Sequence, residues 1–98
     1  LTQARQAASG DVTVVNKQGF HARPVMRFVD TASLFRSSVR VVNSSRDGDS
    51  VDGKSAMHLM LLEATQGCKL RITTCGDDAQ EAYDALVALV ASGFEEPS

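Results

Sequence analysis

The chain has 98 residues, enough to enclose one modest hydrophobic core and too few for two. Apolar residues make up 43% and charged residues 22%, an ordinary globular balance, and no apolar run approaches the length of a membrane span. The formal net charge of -2 excludes a general attraction to nucleic acid or anionic lipid, so any bound anion must be held by a local site.

Residues 1–10, LTQARQAASG, are polar and end in Ser9-Gly10, which suits a flexible arm; they lack the apolar core of a secretory signal, so a cytoplasmic location is the expectation. Val12-Thr13-Val14-Val15 predicts a first strand, closed by the turn-like Asn16-Lys17-Gln18-Gly19. From Val25 the apolar positions Val25, Phe28, Val29, Ala32 and Phe35 follow the spacing of one helix face, with Arg27, Asp30 and Ser33 turned to water. Val39, Val41 and Val42 predict a second strand. The polar loop 43–50 follows, with Asp47-Gly48 its expected tight bend, and then a very short strand near Val51.

Ser55 has the position of a cap on a short helix bearing Met57, Leu59, Met60 and Leu61, with Gln66-Gly67 as its stop. Lys69 to Thr74 alternates with period two, and Gly76 closes that strand. Asp78 and Glu81 have capping-box spacing and open a last helix with the stripe Ala79, Ala82, Tyr83, Leu86, Leu89 and Val90, ended by Gly93. The order is β-α-β-β-α-β-α. Its economical packing is an α+β open-faced sandwich, a mostly antiparallel four-stranded sheet with three helices on one face. One domain over residues 11–93 is expected, followed by a tail, 94–98.

Cys68 and Cys75 are seven residues apart, which in one strand places them on opposite faces and argues against a bond between them. Both are expected as buried, inert thiols. No metal is expected: His21 and His58 are far apart in sequence, and no carboxylate shares a ligand spacing with either. There is no G-x-S-x-G elbow for a serine hydrolase.

The stretch Gln18-Gly19-Phe20-His21-Ala22-Arg23-Pro24 is the most informative one. Gly19 permits a sharp turn, and Pro24 fits the first helical turn, where its missing N–H has no intrahelical acceptor to lose. His21 therefore falls at the N-terminus of a helix, beside unpaired N–H groups and the positive end of the dipole. Arg23 adds planar donors that suit phosphate oxygens. A neutral imidazole nitrogen is a nucleophile, so this arrangement can accept a phosphoryl group and pass it on. The spacing alone leaves a plainer reading open, in which His21 only caps the helix and Arg23 is a solvated charge.

GFHARP, then Thr31-Ala32-Ser33, then Lys54-Ser55-Ala56-Met57, resembles the histidine-containing phosphocarrier protein family, HPr, of the bacterial sugar phosphotransferase system, over roughly residues 11–93. The resemblance implies a phosphocarrier and not an enzyme, with His21 phosphorylated on Nδ1 by enzyme I and discharged to an enzyme IIA domain. It implies that Arg23 steadies the phosphoryl group and that Ser55 is the regulatory serine of a dedicated kinase, the HPr kinase/phosphorylase. It places partner docking on Phe20, Ala56, Leu59 and Met60. Arg27 and Lys54 read either as a basic rim for acidic partners or as plain solvated charges. A monomer without metal or cofactor is implied.

Of Met57 and Met60, helical spacing allows one in the core and one exposed. Two departures from the family stand out: His58 replaces a usual glycine, and the 43–50 loop is longer than usual. Two other functions stay open beside the carrier. One is a regulatory module signalling through Ser55 or His21 without sugar transport; the other is a small-ligand or metal-binding module that shares only the sandwich.

Overall fold

The computed structural model describes residues 6–46 and 48–94. Its elements are β1 (Ala7–Thr13), α1 (Ala22–Ala32), β2 (Ser38–Asn43), β3 (Val51–Asp52), α2 (Ala56–Met60), β4 (Lys69–Cys75) and α3 (Ala79–Ala91). The strands form one sheet in the order β1-β4-β2-β3, antiparallel at every pairing. This is the expected open-faced sandwich.

Alternation in the central strands explains the layering. Leu70, Ile72 and Thr74 of β4 and Val39, Val41 and Asn43 of β2 are buried, while Lys69, Arg71, Ser38 and Arg40 between them are exposed. The helices cover the buried face with Val25, Phe28 and Ala32 of α1, Leu59 of α2, and Ala82, Leu86 and Val90 of α3. Complete burial of a side chain such as Ile72 or Leu86 contributes roughly 1.5–3 kcal/mol. The two buried polar residues of the inner strands are satisfied: Thr74 Oγ1 donates to Ala79 C=O at 2.7 Å and Asn43 Nδ2 to Leu62 C=O at 3.1 Å.

Several boundaries differ from the sequence reading. β1 starts at Ala7, so residues 7–10, expected in the arm, are paired with β4 from Ala7↔Cys75 onward. Ala-Ala-Ser-Gly has little strand propensity of its own; β4 supplies the ladder, and a Ser9–Thr73 hydroxyl pair at 2.9 Å and an Arg71–Asp11 ion pair at 3.3 Å lie across it. Residues 1–5 lie outside the described residues. Val14 and Val15 follow the strand, although Val14 N–H still donates to Cys68 C=O at 2.8 Å. Phe35 lies beyond the end of α1.

α2 stops at Met60, well before Gln66-Gly67, because Leu62 turns into the core and Glu63 takes a left-handed backbone, φ 50. Asp47 lies outside the described residues; beside it, the chain turns where Arg46 N–H meets Asn43 C=O at 3.1 Å. Asp78 does cap α3 in position, but its carboxylate does not close a capping box. It reaches to Arg36 and Ser37 instead. Phe94, assigned to a tail, is fully buried: α3 ends with left-handed Gly93 (φ 71) and Phe94 (φ 61), and Phe94 N–H bonds back to Leu89 C=O at 2.9 Å.

Both cysteines are free and half-buried, not buried as expected: Cys75 ends β4 on the outward parity of Lys69 and Arg71, and Cys68 lies just ahead of the strand. Seven strand residues separate them by roughly 23 Å, far beyond disulfide reach. Among the described residues no helix is long and apolar enough to cross a membrane.

Candidate functional site

The site starts from a pinned turn. Gly19 N–H donates to Asn16 C=O at 3.1 Å, and Asn16 Nδ2 donates to Gly19 C=O at 2.8 Å. Gly19 has φ 63, and a Cβ there would lie 2.3 Å from Ala64 O and 2.8 Å from Thr65 Cα. Only glycine meets both demands. Next in the chain, Phe20 N–H donates to Ala64 C=O at 2.9 Å, and its ring packs edge-on against Phe28 (5.8 Å between centroids) and tilted against Phe94 (5.4 Å).

This anchoring presents His21 as the N-cap of α1, with extended backbone (φ -115, ψ -171) and its C=O accepting from Val25 N–H at 3.0 Å. Pro24, at the third helical position, brings no N–H, so Ala22 and Arg23 supply the first-turn amides that have no intrahelical acceptor. His21 is half-buried and Arg23 exposed. Both line an open cleft of about 1080 Å³ whose other walls include Lys17, Gln18, Met26, Gln66 and Ser92. Gln66 is held there by its Nε2 donating to Val15 C=O at 3.0 Å. A cleft of this kind offers a nucleophilic imidazole beside cations and backbone donors, the chemistry of a phosphoryl site.

Ser55 stands where the sequence placed it, as N-cap of α2, its Oγ accepting from His58 N–H at 3.3 Å. It is half-buried, and His58 is exposed. Two residues expected on the docking face are core instead: Phe20 is the aromatic anchor just described, and Leu59 is fully buried as the one buried residue of α2. Ala56 is half-buried and Met60 is 48% exposed. Lys54, expected in a basic rim, is half-buried and donates through Nζ to Phe35 C=O at 2.8 Å, which ties it to the link between α1 and β2. Arg27 is exposed on α1.

Met57 and Met60 do not divide between core and surface. Both are exposed, Met57 at 80%, and Leu61 at 72% joins them. The helical period carried the signal: with Leu59 facing inward, residues two positions away on either side, Met57 and Leu61, point nearly opposite. Lys17, Gln66 and Ser92 were not singled out for the cleft. Gln66 and Ser92 are remote from the motif in sequence, and only folding brings them to it.

Residues 8–92 match the family model described as the PTS HPr component phosphorylation site. A phosphocarrier protein HPr of Cupriavidus necator is 44% identical over 86 residues, covering 88% of this chain and 93% of its own. A phosphocarrier protein NPr of Proteus mirabilis is 35% identical over 96 residues, covering 98% of this chain and 99% of its own. The crystal structure of HPr-C-His from Thermoanaerobacter tengcongensis is similar with a TM-score of 0.85 at 40% identity, covering 93% of this chain and 99% of that one. By sequence over nearly its whole described length, and by fold, the chain belongs to the HPr family of phosphocarrier proteins.

Proposed function

We propose that His21 accepts a phosphoryl group from phosphorylated enzyme I and passes it to an enzyme IIA domain of a sugar phosphotransferase system in the cytoplasm. The observation that carries this reading is the imidazole at the N-cap of α1, opening on a cleft that it shares with Arg23. The neutral ring nitrogen, Nδ1 by family resemblance, attacks phosphorus; the bond to it forms as the bond to the donor breaks, and the donor keeps the electron pair. Transfer to enzyme IIA repeats the exchange with His21 as leaving group. The Arg23 guanidinium and the first-turn amides face the charge that spreads over the phosphoryl oxygens. The chain acts as a monomeric covalent intermediate and takes the remaining catalytic groups from each partner's site.

Partners dock on the exposed Met57 and Met60 of α2 and on Leu61 just after it, next to the half-buried Ala56, with Arg27 contributing charge. Methionine suits a surface that serves more than one partner, because its unbranched chain repacks at low cost. Ser55 is the regulatory position for a dedicated kinase. A phosphate there adds close to two negative charges beside the docking face while the helix end tolerates it.

The test mixes this protein with enzyme I and phosphoenolpyruvate and follows intact mass before and after mild acid, with His21→Ala alongside. An acid-labile phosphate that is absent from the variant supports the carrier. No phosphate with a competent enzyme I from the same organism rejects it, and kinase treatment of the wild type and Ser55→Ala then tests the regulatory module.

A further inference from the structure

A second cation stands on the turn ahead of the histidine. Lys17 is at the second position of the Asn16–Gly19 turn, which is closed by a backbone bond and by the Asn16 side chain and lies tight under Ala64. Its backbone is thus fixed by the same contacts that fix His21, and only the side chain is left to move. That side chain is exposed and lines the cleft shared by His21 and Arg23. The chain holds 12 acidic against 10 basic residues, yet no carboxylate lines this cleft among the described residues. Neither Lys17 nor Arg23 has an ion-pair partner among them.

We propose that Lys17 is a second cationic ligand of the phosphoryl group on His21. This rests on the carrier reading above and adds a division of labour to it. Arg23 offers a planar fork that fixes the orientation of two oxygens. Lys17 offers a point charge on a flexible stem, able to follow the group as it arrives and leaves. Flanking His21 in sequence, the two balance the nearly two negative charges that phosphorylation brings to a net-negative protein.

The experiment loads His21 with phosphoramidate, so that no partner protein is needed: the ring nitrogen attacks phosphorus, the P–N bond of the reagent breaks, and ammonia leaves with the proton. The phosphorus-31 resonance of the phosphohistidine is then titrated with pH, with His21→Ala as the control for its assignment. Lys17→Gln is expected to raise the midpoint of the phosphoryl titration by about half a pH unit, the size of one water-exposed charge pair at contact. Lys17→Arg restores the wild-type midpoint, and Lys69→Gln, on the far face of the sheet, leaves it unchanged. A purely structural or docking role for Lys17 moves none of these values.

Coincident midpoints for wild type, Lys17→Gln and Lys69→Gln overturn the proposal. Loading by phosphoramidate but not by enzyme I rejects the carrier reading, and the midpoint still decides on Lys17. No loading by either donor overturns both.

Discussion

The carboxylate of Asp78 accepts two hydrogen bonds from Ser37, one from its N–H at 2.9 Å and one from its hydroxyl at 2.5 Å. A third comes from Arg36 N–H at 2.9 Å. The first turn of α3 is thereby tied to the link between α1 and β2, 41 residues away in sequence. The Ser37 hydroxyl and then the Arg36 amide hold the Asp78 carboxyl at about 2, below its ordinary 3.8. The folded-state value is the lower one. Its contribution to stability is therefore fully present above pH 4 and fades as pH falls through 2. Asp78→Asn should lower the urea midpoint at pH 7, and the gap from wild type should close between pH 4 and pH 2. A constant gap across that range contradicts the assignment.

Gly19→Ala should destabilise the fold by about 1–3 kcal/mol, because the new methyl meets backbone and the residue keeps a positive φ. Chemical denaturation gives the loss. Phosphorylation of His21 should also slow in the folded fraction, since the turn that leads into it must shift. An unaffected variant would mean that the turn is held by other contacts.

The core role of Phe20 and the docking role proposed for Met57 can be told apart. Phe20→Ala removes an aromatic ring packed on Phe28 and Phe94 and should cost about 3–5 kcal/mol. Met57→Ala, at an exposed position, should change stability by no more than about 0.5 kcal/mol while weakening transfer from enzyme I at low concentration. Denaturation curves beside transfer kinetics decide it; equal stability losses in the two variants would show that the roles were misassigned.

Cys68 should react faster than the inert thiol the sequence suggested. The Thr65 hydroxyl, with Oγ1 3.4 Å from Sγ, and then the Thr65 backbone draw its pKa below the ordinary 9.0. More of it is thiolate at pH 8, so alkylation should be fast there, and Thr65→Val should slow it. Timed iodoacetamide labelling read by peptide mass gives the rates. Equal rates in wild type and variant would remove Thr65 as the cause.

Much of this fold is written in periodicity. Val25, Phe28 and Ala32 announce α1, and the alternation from Lys69 to Thr74 announces the strand at the centre of the sheet. What stayed hidden depends on partners distant in sequence. Ala7 to Gly10 are strand only because β4 lies alongside, and Asp78 forgoes its capping box because Ser37 is brought within reach. At the site, the positions of His21 and Ser55 at helix N-caps and of Arg23 in the first turn of α1 were legible from local motif and capping chemistry. Phe20 was misplaced because membership of a recognition motif says nothing of which side of the backbone a ring will take. Its pairing with Phe94 is a contact between residues 74 apart in sequence.

That pairing has a practical consequence for experiments on the histidine. The segment is fastened by the residues on either side of His21: Gly19 beneath Ala64, Phe20 between two other rings, Val25 on the helix ladder. Removing the imidazole leaves those fastenings in place. A His21 variant that fails to carry phosphate therefore reports lost chemistry, whereas the same failure in a Phe20 variant reports lost architecture, and a matched pair of the two tells one kind of failure from the other.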